Sequence, residues 1–517
     1  MGQNKAWATG LGALGAGVAA LATWDVLQRK HTILRRFPVV GHLRYLMEDL
    51  RPELQQYFIE RDWDGKPFDR DTRSIIYERA KGTHSEKAYG TELDVYQVGH
   101  EFLVHSTAPL DAPDEPPRVR IGGPDCSQPY LMALMNVSAM SFGSLSANAI
   151  RALNKGAAMG GFAHDTGEGG ISPYHREHGG DLVWEIGTGY FGCRTEDGLF
   201  DARQFEDKAR DPQVKAVSIK LSQGAKPGIG GVLPGPKVTE EIASTRGVPV
   251  GEKCVSPPAH SAFSTPRELI DFVVRLRDMS GGKPIGLKLC VSSRVEVLAM
   301  AKAMLEAGTA PDFIIVDGSE GGTGAAPLEY EDHVGMPLTD GLMVVHNALV
   351  GAGLRDRVRV GASGKVAAGN DIVKRLIQGA DYTNAARPMM MATGCIQSQR
   401  CHLDTCPVGV ATQDPRRARA LDVGDKSQRV QRYQRATVDE AARIMASMGV
   451  RRPEDLAPDQ LRLVIGPGET VSYADRYGWL EPGELLDDPP ANWRSDWSLA
   501  SADTFRTPHV TTRGDTR

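Results

Sequence analysis

The stretch "VKAVSIKLSQGAKPGIGG", residues 214–231, is a short apolar run that ends in a glycine-rich turn. Similar runs recur between about residues 111 and 425 and are separated by segments compatible with helices. Near-continuous apolar strands that alternate with helices indicate a parallel sheet covered on both faces. Eight units predict an α/β fold of the (β/α)8 TIM barrel type, although a doubly wound sheet has a similar pattern. The candidate strands are residues 131–140, 161–165, 187–192, 214–221, 284–291, 312–317, 357–362 and 381–386.

Composition limits the class of protein. The chain has 517 residues, of which 41% are hydrophobic, enough for a large barrel with additions. A formal net charge of −5 argues against bulk electrostatic attraction to nucleic acid. Seven cysteines, three of them clustered, favour a reducing compartment over a disulfide framework. The scattered four, predicted to be buried and inert, are Cys126, Cys193, Cys254 and Cys290.

The N-terminus is uncharged from Trp7 to Trp24. A helix of this length spans about 27 Å, enough to cross a hydrocarbon core. Lys5 precedes the segment, and four cations follow it at positions 29, 30, 35 and 36. The positive-inside rule therefore predicts that residues 1–26 are a single-pass anchor in the inner (cytoplasmic) membrane, with the catalytic part in the cytoplasm. A cleaved signal peptide is the competing interpretation.

The remaining chain is predicted to have three parts. Residues 27–110 form an irregular, partly helical lead-in, and residues 111–425 form the barrel. Residues 426–517 form a helical extension, which gives way from about residue 487 to a flexible tail rich in Pro, Asp and Ser. In a barrel, catalytic residues lie where strands end and loops begin, so those loops are the expected site.

Three cysteines lie close together in "CIQSQRCHLDTCPVG", residues 395–409. Zinc sites usually have one C-x2–4-C pair and a second such pair elsewhere, and no second pair exists here. Thiolates are the usual ligands of iron–sulfur clusters, and three thiolates can hold three irons. The pattern predicts that Cys395, Cys401 and Cys406 hold a 3Fe–4S cluster; three ordinary buried cysteines are the alternative.

Five segments resemble the FMN-binding domain of the glutamate synthase large subunit, in the same order along the chain. The whole chain resembles the stand-alone FMN-binding glutamate synthase family proteins of bacteria. The resemblance covers roughly residues 111–425 and implies an FMN-containing (β/α)8 barrel with a 3Fe–4S cluster. The segments are "SAMSFGSLS" (138–146), "DTGEGG" (165–170), "KLSQGAKPGIGGVLPGPKV" (220–238), "EGGTGAAP" (320–327) and "CHLDTCPVGVATQDP" (401–415).

The resemblance also implies which residues hold FMN. In barrels the phosphate is bound by backbone N–H groups after strands seven and eight, here 363–365 and 386–387. Lys365 and Arg387 supply positive charge there, although Arg387 could instead be a structural salt-bridge partner. The implied FMN contacts are Ala139, Met140, Ser141, Thr166, Lys220, Gly321, Gly322, Gly324, Ser363, Gly364, Lys365, Ala386 and Arg387.

The family reaction joins ammonia to 2-oxoglutarate, and FMN supplies the hydride that reduces 2-iminoglutarate to L-glutamate. A substrate with two carboxylates requires fixed cations and donors. The resemblance assigns this role to Gln223, Lys226 and Arg246, and it places Lys220 against the flavin. Glu168 is a candidate for proton handling or for shaping the site, and a plain turn or salt-bridge residue is the alternative.

Three departures from the family pattern leave the substrate and the electron donor open. Ile229 stands where the family usually has Glu, and Val232 where it has a polar residue. No region resembles the glutaminase domain or a nicotinamide-binding unit. We therefore expect an external ammonia source and a separate electron donor, a ferredoxin or an NAD(P)H-linked reductase. The alternatives are a membrane-tethered flavin/iron–sulfur electron-transfer protein and a related amine or 2-oxo acid oxidoreductase; retention of Lys226 and Arg246 favours an enzyme.

Overall fold

The computed structural model describes residues 2–83 and 86–506, with side chains from residue 10 onward. The chain divides into two compact units, Met1–Thr72 and Arg73–Arg517, so the predicted lead-in over 27–110 is split between them. The helices of the first unit are α1 (Gly2–Leu27), α2 (Thr32–Arg36) and α3 (His42–Leu54), the last continued by a π-helical turn at Gln55–Ile59. Helix α4 (Arg70–Lys81) follows.

Helix α1 matches the predicted anchor in position. Among the described residues, it is the one helix with a window, Gly10–Leu27, long and apolar enough to cross a membrane, with a mean hydropathy of 1.4. A signal sequence would meet the same criterion, so both interpretations of this segment stay open.

Eight parallel strands close into a barrel in the second unit, which confirms the predicted fold class. The ring closes where the last strand pairs with the first, with Asn384 opposite Asn136. In ring order, the strands are β4 (Met135–Val137), β5 (His164–Asp165), β6 (Leu182–Ile186), β7 (Val214–Lys220), β10 (Ile285–Leu289), β11 (Phe313–Asp317), β12 (Arg359–Ser363) and β13 (Tyr382–Ala385).

Two predicted strands need correction. The predicted third strand over 187–192 is wrong, because β6 occupies residues 182–186 and 187–192 belong to the loop that follows. Glu185 interrupts the apolar pattern of β6, yet it is buried and pairs with Lys288 at 2.8 Å inside the barrel. The predicted first strand over 131–140 is divided: β3 (Tyr130–Ala133) pairs antiparallel with β2 (Arg118–Ile121), and only β4 joins the ring.

Helices surround the barrel, and their ends carry the expected signals. In helix α9 (Pro266–Met279), Thr265 caps the first turn and Glu268 completes a capping box. Its buried apolar residues, including Leu269, Val273 and Leu276, face the core. The surrounding helices are α5 (Ala147–Gly160), α6 (Pro173–Arg176), α7 (Ala202–Ala209), α8 (Glu240–Arg246), α9 (Pro266–Met279), α10 (Arg294–Ala307), α11 (Leu338–Gly351), α12 (Gly369–Ile377) and α13 (Arg387–Ala392).

Besides the β2–β3 pair, two further small sheets of the described residues lie outside the barrel. A two-stranded ribbon pairs β8 (Val232–Leu233) with β9 (Cys254–Val255) in the long connection between β7 and β10. The other sheet has three strands in the order β1 (Glu101–Leu103), β14 (Leu461–Gly466) and β15 (Glu469–Ser472).

The C-terminal extension contains helices, and the last of them lies within the stretch from about residue 487 that was predicted to be a flexible tail. Within the predicted flexible tail, Trp493 is buried on the last helix and its ring lies 4.4 Å from the Arg294 guanidinium. Residues 507–517 lie outside the described residues. The helices of the extension are α14 (Pro415–Ala418), α15 (Val423–Ser447), α16 (Tyr473–Arg476), α17 (Glu484–Asp487) and α18 (Ala491–Leu499).

Candidate active site

A charged cluster lies at the carboxyl end of the barrel strands. Lys220 is the last residue of β7, and its ammonium lies 3.1 Å from Glu168 Oε1 in the loop after β5. The same ammonium donates a hydrogen bond to Gln223 Oε1 at 2.7 Å. Ser256 Oγ donates to the other Glu168 oxygen at 3.2 Å. Three residues that the sequence predicted for the substrate site therefore meet at one point.

The Glu168 carboxylate is surrounded by positive charge. Burial raises its pKa, but Lys220, Arg246 and Lys226 lower it by more, so the net pKa lies below that of an ordinary glutamate. A glycine makes room for the carboxylate, because a Cβ at Gly231 would lie only 1.8 Å from Glu168 Oε1. Glu168 is therefore ionised at neutral pH, which suits a counter-ion better than a proton donor.

Lys226 is a buried cation that joins two loops. Its side chain is 2% exposed, and its ammonium donates to the Ala325 carbonyl, in the loop after β11, at 2.5 Å. Burial lowers the pKa of Lys226 to about 8, with Glu168 opposing and Lys220 adding to the shift. The charge of this side chain is therefore sensitive to pH in the neutral to alkaline range.

Arg246 presents an unused donor. It is the last residue of α8, and its Nη2 donates to Ser141 Oγ and to the Phe142 carbonyl, each at 3.1 Å. The guanidinium lies 5.2 Å from the centre of the Phe191 ring. Its Nε is buried and has no acceptor among the described residues. A buried N–H without a partner is costly, so this donor is suited to an anionic ligand.

The sequence analysis missed three charged residues deeper in the barrel. Lys288 Nζ lies 2.8 Å from Glu185 Oε2, and Lys220 Nζ lies 3.8 Å from the other oxygen of the same carboxylate. Burial raises the pKa of Asp165, and the nearby Glu185 adds to the shift. A charged residue inside an apolar strand is the sequence signal that could have identified them. Both Lys220 and Lys288 interrupt apolar strands in this way, and the structure places them side by side in register on β7 and β10.

The predicted phosphate loops also lie at this end of the barrel. Ser363 ends β12, and its hydroxyl lies 3.5 Å from Ser138 Oγ after β4. The next two residues have positive φ angles, +155° at Gly364 and +51° at Lys365. Only Lys365 is left-handed here, while Gly364 has a conformation that residues with a Cβ rarely adopt. Ala386 immediately precedes α13, and the structure therefore brings both predicted phosphate segments to the barrel mouth.

The residues predicted to contact the flavin ring lie in four loops at the carboxyl end of the barrel. Arg387, the first residue of α13, donates to the Glu320 carbonyl at 2.5 Å, and a Cβ at Gly322 would lie 2.7 Å from its Nε. A Cβ at Gly167 would lie 2.7 Å from the Ser141 backbone nitrogen, so these backbones approach closely. Thr166 Oγ1 accepts the Glu185 backbone N–H at 3.2 Å. The remaining predicted contacts adjoin these residues at positions 139, 140, 321 and 324.

A family model for the conserved region in glutamate synthase matches residues 105–451, more than half of the chain. The chain belongs to the glutamate synthase family.

Similar proteins include curated relatives and solved structures. The glutamate synthase large subunit-like protein YerD of Bacillus subtilis (strain 168) is 37% identical over 469 residues, 83% of this chain and 89% of the relative. The archaeal-type glutamate synthase [NADPH] of Thermotoga neapolitana is 35% identical over 320 residues, and this match covers 62% of this chain and 60% of the enzyme. A double mutant of flavocytochrome b2 with pyruvate bound aligns with a TM-score of 0.43 and 13% identity, covering 92% of this chain and 96% of that one.

The cysteine loop of this glutamate synthase family member follows α13. Burial, with contributions from the Cys401 and Cys406 thiols, raises the pKa of Cys395 to about 12, so the three thiols are near enough to interact. No group of three or more His, Cys, Asp or Glu side chains in the described part of the chain could hold a single metal ion. A three-iron cluster is a wider arrangement, in which each thiolate binds a different iron. The other cysteines are buried and free, as predicted: Cys126, Cys193, Cys254 and Cys290.

Lys237 joins the cysteine loop to the barrel mouth. This residue lies in the glycine-rich motif of residues 220–238, and no role was predicted for it from the sequence. Its ammonium is buried and donates to the carbonyls of Ser144 at 3.0 Å, Cys401 at 3.3 Å and Ala411 at 3.4 Å. Gln413 adds a second link, because its side-chain amide donates to the Gly143 carbonyl at 3.0 Å. These long-range contacts carry no local sequence signal.

Proposed function

We infer that this chain is a glutamate synthase-type oxidoreductase that reduces 2-iminoglutarate, formed from 2-oxoglutarate and ammonia, to L-glutamate. The observation that carries the inference is that the unpaired Nε of Arg246 and the buried ammonium of Lys226 belong to two cations that both act on Glu168. Two fixed cations at one barrel mouth match a substrate with two carboxylates. Family membership supports the same reaction class.

The residues of the site are proposed to act by binding and orientation. Arg246 offers its free N–H to one substrate carboxylate, and Lys226 pairs with the other. Glu168 balances the cations while the site is empty of substrate, and it keeps Lys220 oriented through their 3.1 Å contact. Ile229 and Val232 are both half-buried in the connection after β7 and make this wall less polar, so a related 2-oxo acid is the alternative substrate.

FMN is the proposed cofactor. The fit rests on the positive-φ turn at Gly364 and Lys365, on the close backbone approach at Gly167, and on the small residues beside Arg387. Glycine and positive-φ backbone at this end of the barrel allow a phosphate and a flat ring to approach the main chain closely. When bound, FMN supplies the hydride that reduces the imine carbon. Lys220, at the end of β7, is proposed to place a positive charge beside the ring.

A 3Fe–4S cluster held by Cys395, Cys401 and Cys406 is the proposed second cofactor. Three free cysteines in one segment, with the Cys401 and Ala411 carbonyls of that segment bonded to Lys237, support the fit. When bound, the cluster supplies one-electron transfer. We propose that a separate ferredoxin or NAD(P)H-linked reductase delivers the electrons.

Attachment to the cytoplasmic membrane through α1 is also proposed, with the second unit in the cytoplasm. The length and composition of the Gly10–Leu27 window and the cations that follow it support this orientation.

The central test is a titration of the oxidised protein with 2-oxoglutarate, followed by flavin absorption. We expect a saturable spectral change that Arg246→Ala weakens by about 30-fold or more, corresponding to the loss of a charge-assisted hydrogen bond of about 2–3 kcal/mol. Arg203→Ala, an exposed position on α7, is the matched control and should bind as the unmodified protein does. An unchanged response in Arg246→Ala would remove the assignment of this residue.

A second measurement separates the enzyme from an electron carrier. The protein is reduced anaerobically and mixed with 2-oxoglutarate and ammonium. Reoxidation of the flavin with formation of glutamate supports the proposed reaction. If no oxo acid with ammonium reoxidises the flavin while an artificial one-electron acceptor does, the chain is an electron-transfer protein.

A further inference from the structure

Helix α3 exposes an apolar face. None of its side chains is buried, although five of them are large and apolar. They recur at intervals of three and four residues, which places them on one side of a helix. Exposed apolar surface of this extent marks an interaction site. The apolar face of α3 consists of Leu43, Leu46, Met47, Leu50 and Leu54, with exposures from 41% to 58%.

A buried carboxylate fixes where this helix begins. Asp25 lies near the end of the Gly10–Leu27 window and is fully buried. Its Oδ1 lies 2.9 Å from Nε2 of His42, the first residue of α3, and its Oδ2 accepts the Val39 backbone N–H at 2.8 Å. The start of α3 is therefore held at the level where the candidate membrane span ends.

Four exposed cations lie between the end of α1 and the start of α3. They are the side chains that anionic lipid headgroups attract, at about 1 kcal/mol for each basic residue near the surface. Two aromatic side chains are also exposed here, Trp24 near the end of α1 and Phe37 after α2. Exposed aromatic residues at the end of a membrane span are typical of a membrane interface. The cations are Arg29, Lys30, Arg35 and Arg36.

The opposite side of α3 is polar. Arg44 and Glu48 form an exposed ion pair at 2.8 Å, and Arg51 lies on the same side one turn further along. Apolar residues on one side and charges on the other are typical of a helix that lies in the plane of a bilayer surface.

We propose that α3 lies in the headgroup region of an anionic phospholipid bilayer, with its apolar face turned toward the acyl chains. The inference rests on the proposed membrane span of α1, because the Asp25 contacts place α3 only relative to that segment. The chain would then have two membrane contacts, one that crosses the bilayer and one that lies along it.

The test uses the full-length protein in vesicles of phosphatidylcholine and phosphatidylglycerol that contain brominated acyl chains. An environment-sensitive fluorophore is attached to Leu46→Cys, to Glu48→Cys on the opposite side of α3, and to Leu14→Cys in α1. Labelled protein without an added cysteine measures the background from the native thiols. We expect quenching at positions 14 and 46 and little at position 48. In vesicles of phosphatidylcholine alone, quenching at position 46 should decrease.

Each other outcome overturns the inference in a distinguishable way. Quenching at position 14 without quenching at position 46 leaves the span intact and removes α3 from the bilayer. Loss of quenching at both positions removes the span and the inference together. Equal quenching at positions 46 and 48 contradicts the orientation of the helix. Cross-linking between two chains at position 46, without quenching, would mean that a second copy covers this face.

Discussion

The pH dependence of substrate binding tests the role assigned to Lys226. Its pKa is lowered to about 8 because the ammonium is buried, so the cation is present below that pH and is lost as the pH rises through it. With a pKa of about 8, the protonated fraction is about 90% at pH 7 and about 10% at pH 9. If only the ammonium form pairs with a carboxylate, affinity for 2-oxoglutarate falls about tenfold over this range, or about 1.4 kcal/mol.

The predicted loss of affinity with rising pH comes from Lys226 and not from the neighbouring Glu168. Glu168 has a lowered pKa and is ionised throughout the range, so it contributes no slope between neutral and alkaline pH. Below pH 7, affinity should level off, because Lys226 is already almost fully charged.

The assay is the flavin absorption titration, repeated at several values between about pH 6.5 and about pH 9.5. Lys226→Met should bind at neutral pH about as weakly as the unmodified protein does at alkaline pH, and its affinity should vary much less over this range. Lys215→Met is the matched control, since this lysine lies near the start of β7, the strand that precedes the Lys226 loop, and is half-exposed. A constant affinity between pH 7 and 9 in the unmodified protein, or an undiminished slope in Lys226→Met, would refute the reasoning.

Two further predictions concern buried cations. Lys237→Met leaves three carbonyls without their charged donor, so iron bound per chain should fall while FMN content stays constant; Lys253→Met, at an exposed position, should retain its iron. Equal iron in both variants would contradict the linking role. Glu185→Gln removes the negative partner of the buried Lys288, and the free energy of unfolding should fall by about 3 kcal/mol. Thermal unfolding measures this loss, and exposed Glu196→Gln should change stability by less than about 0.5 kcal/mol.

The sequence was sufficient for the barrel because strand and loop patterns are local. The run over 214–221 matched β7 almost residue for residue, and the predicted strands 284–291 and 312–317 enclose the observed ones. The third strand was misplaced because Glu185 looks like a surface residue when its partner is unknown. Lys288 lies more than a hundred positions away, and only the closed ring brings the two charges together.

The candidate site was predictable to the extent that motifs carried it. Lys220, Gln223 and Glu168 were named from the resemblance, and the structure brings them within hydrogen-bonding or ion-pair distance. The role of Lys237 was not accessible in this way, because its acceptors belong to three separate segments of the chain. A lysine in a proline-rich turn gives no indication that its ammonium is buried among distant carbonyls.

The loop after β4 is a wall shared by two neighbouring sites. On one side Ser141 Oγ accepts a hydrogen bond from Arg246, and the Ser144 hydroxyl lies 3.0 Å from the Ser141 hydroxyl. On the other side the Ser144 carbonyl accepts from Lys237, which also holds the cysteine loop. Because Lys237 bonds the main-chain carbonyl of Ser144, a change that shifts this backbone reaches the cysteine loop as well, whereas a change confined to the serine side chains leaves that contact in place. Library designs that insert or delete residues between positions 141 and 144 should therefore vary position 237 at the same time.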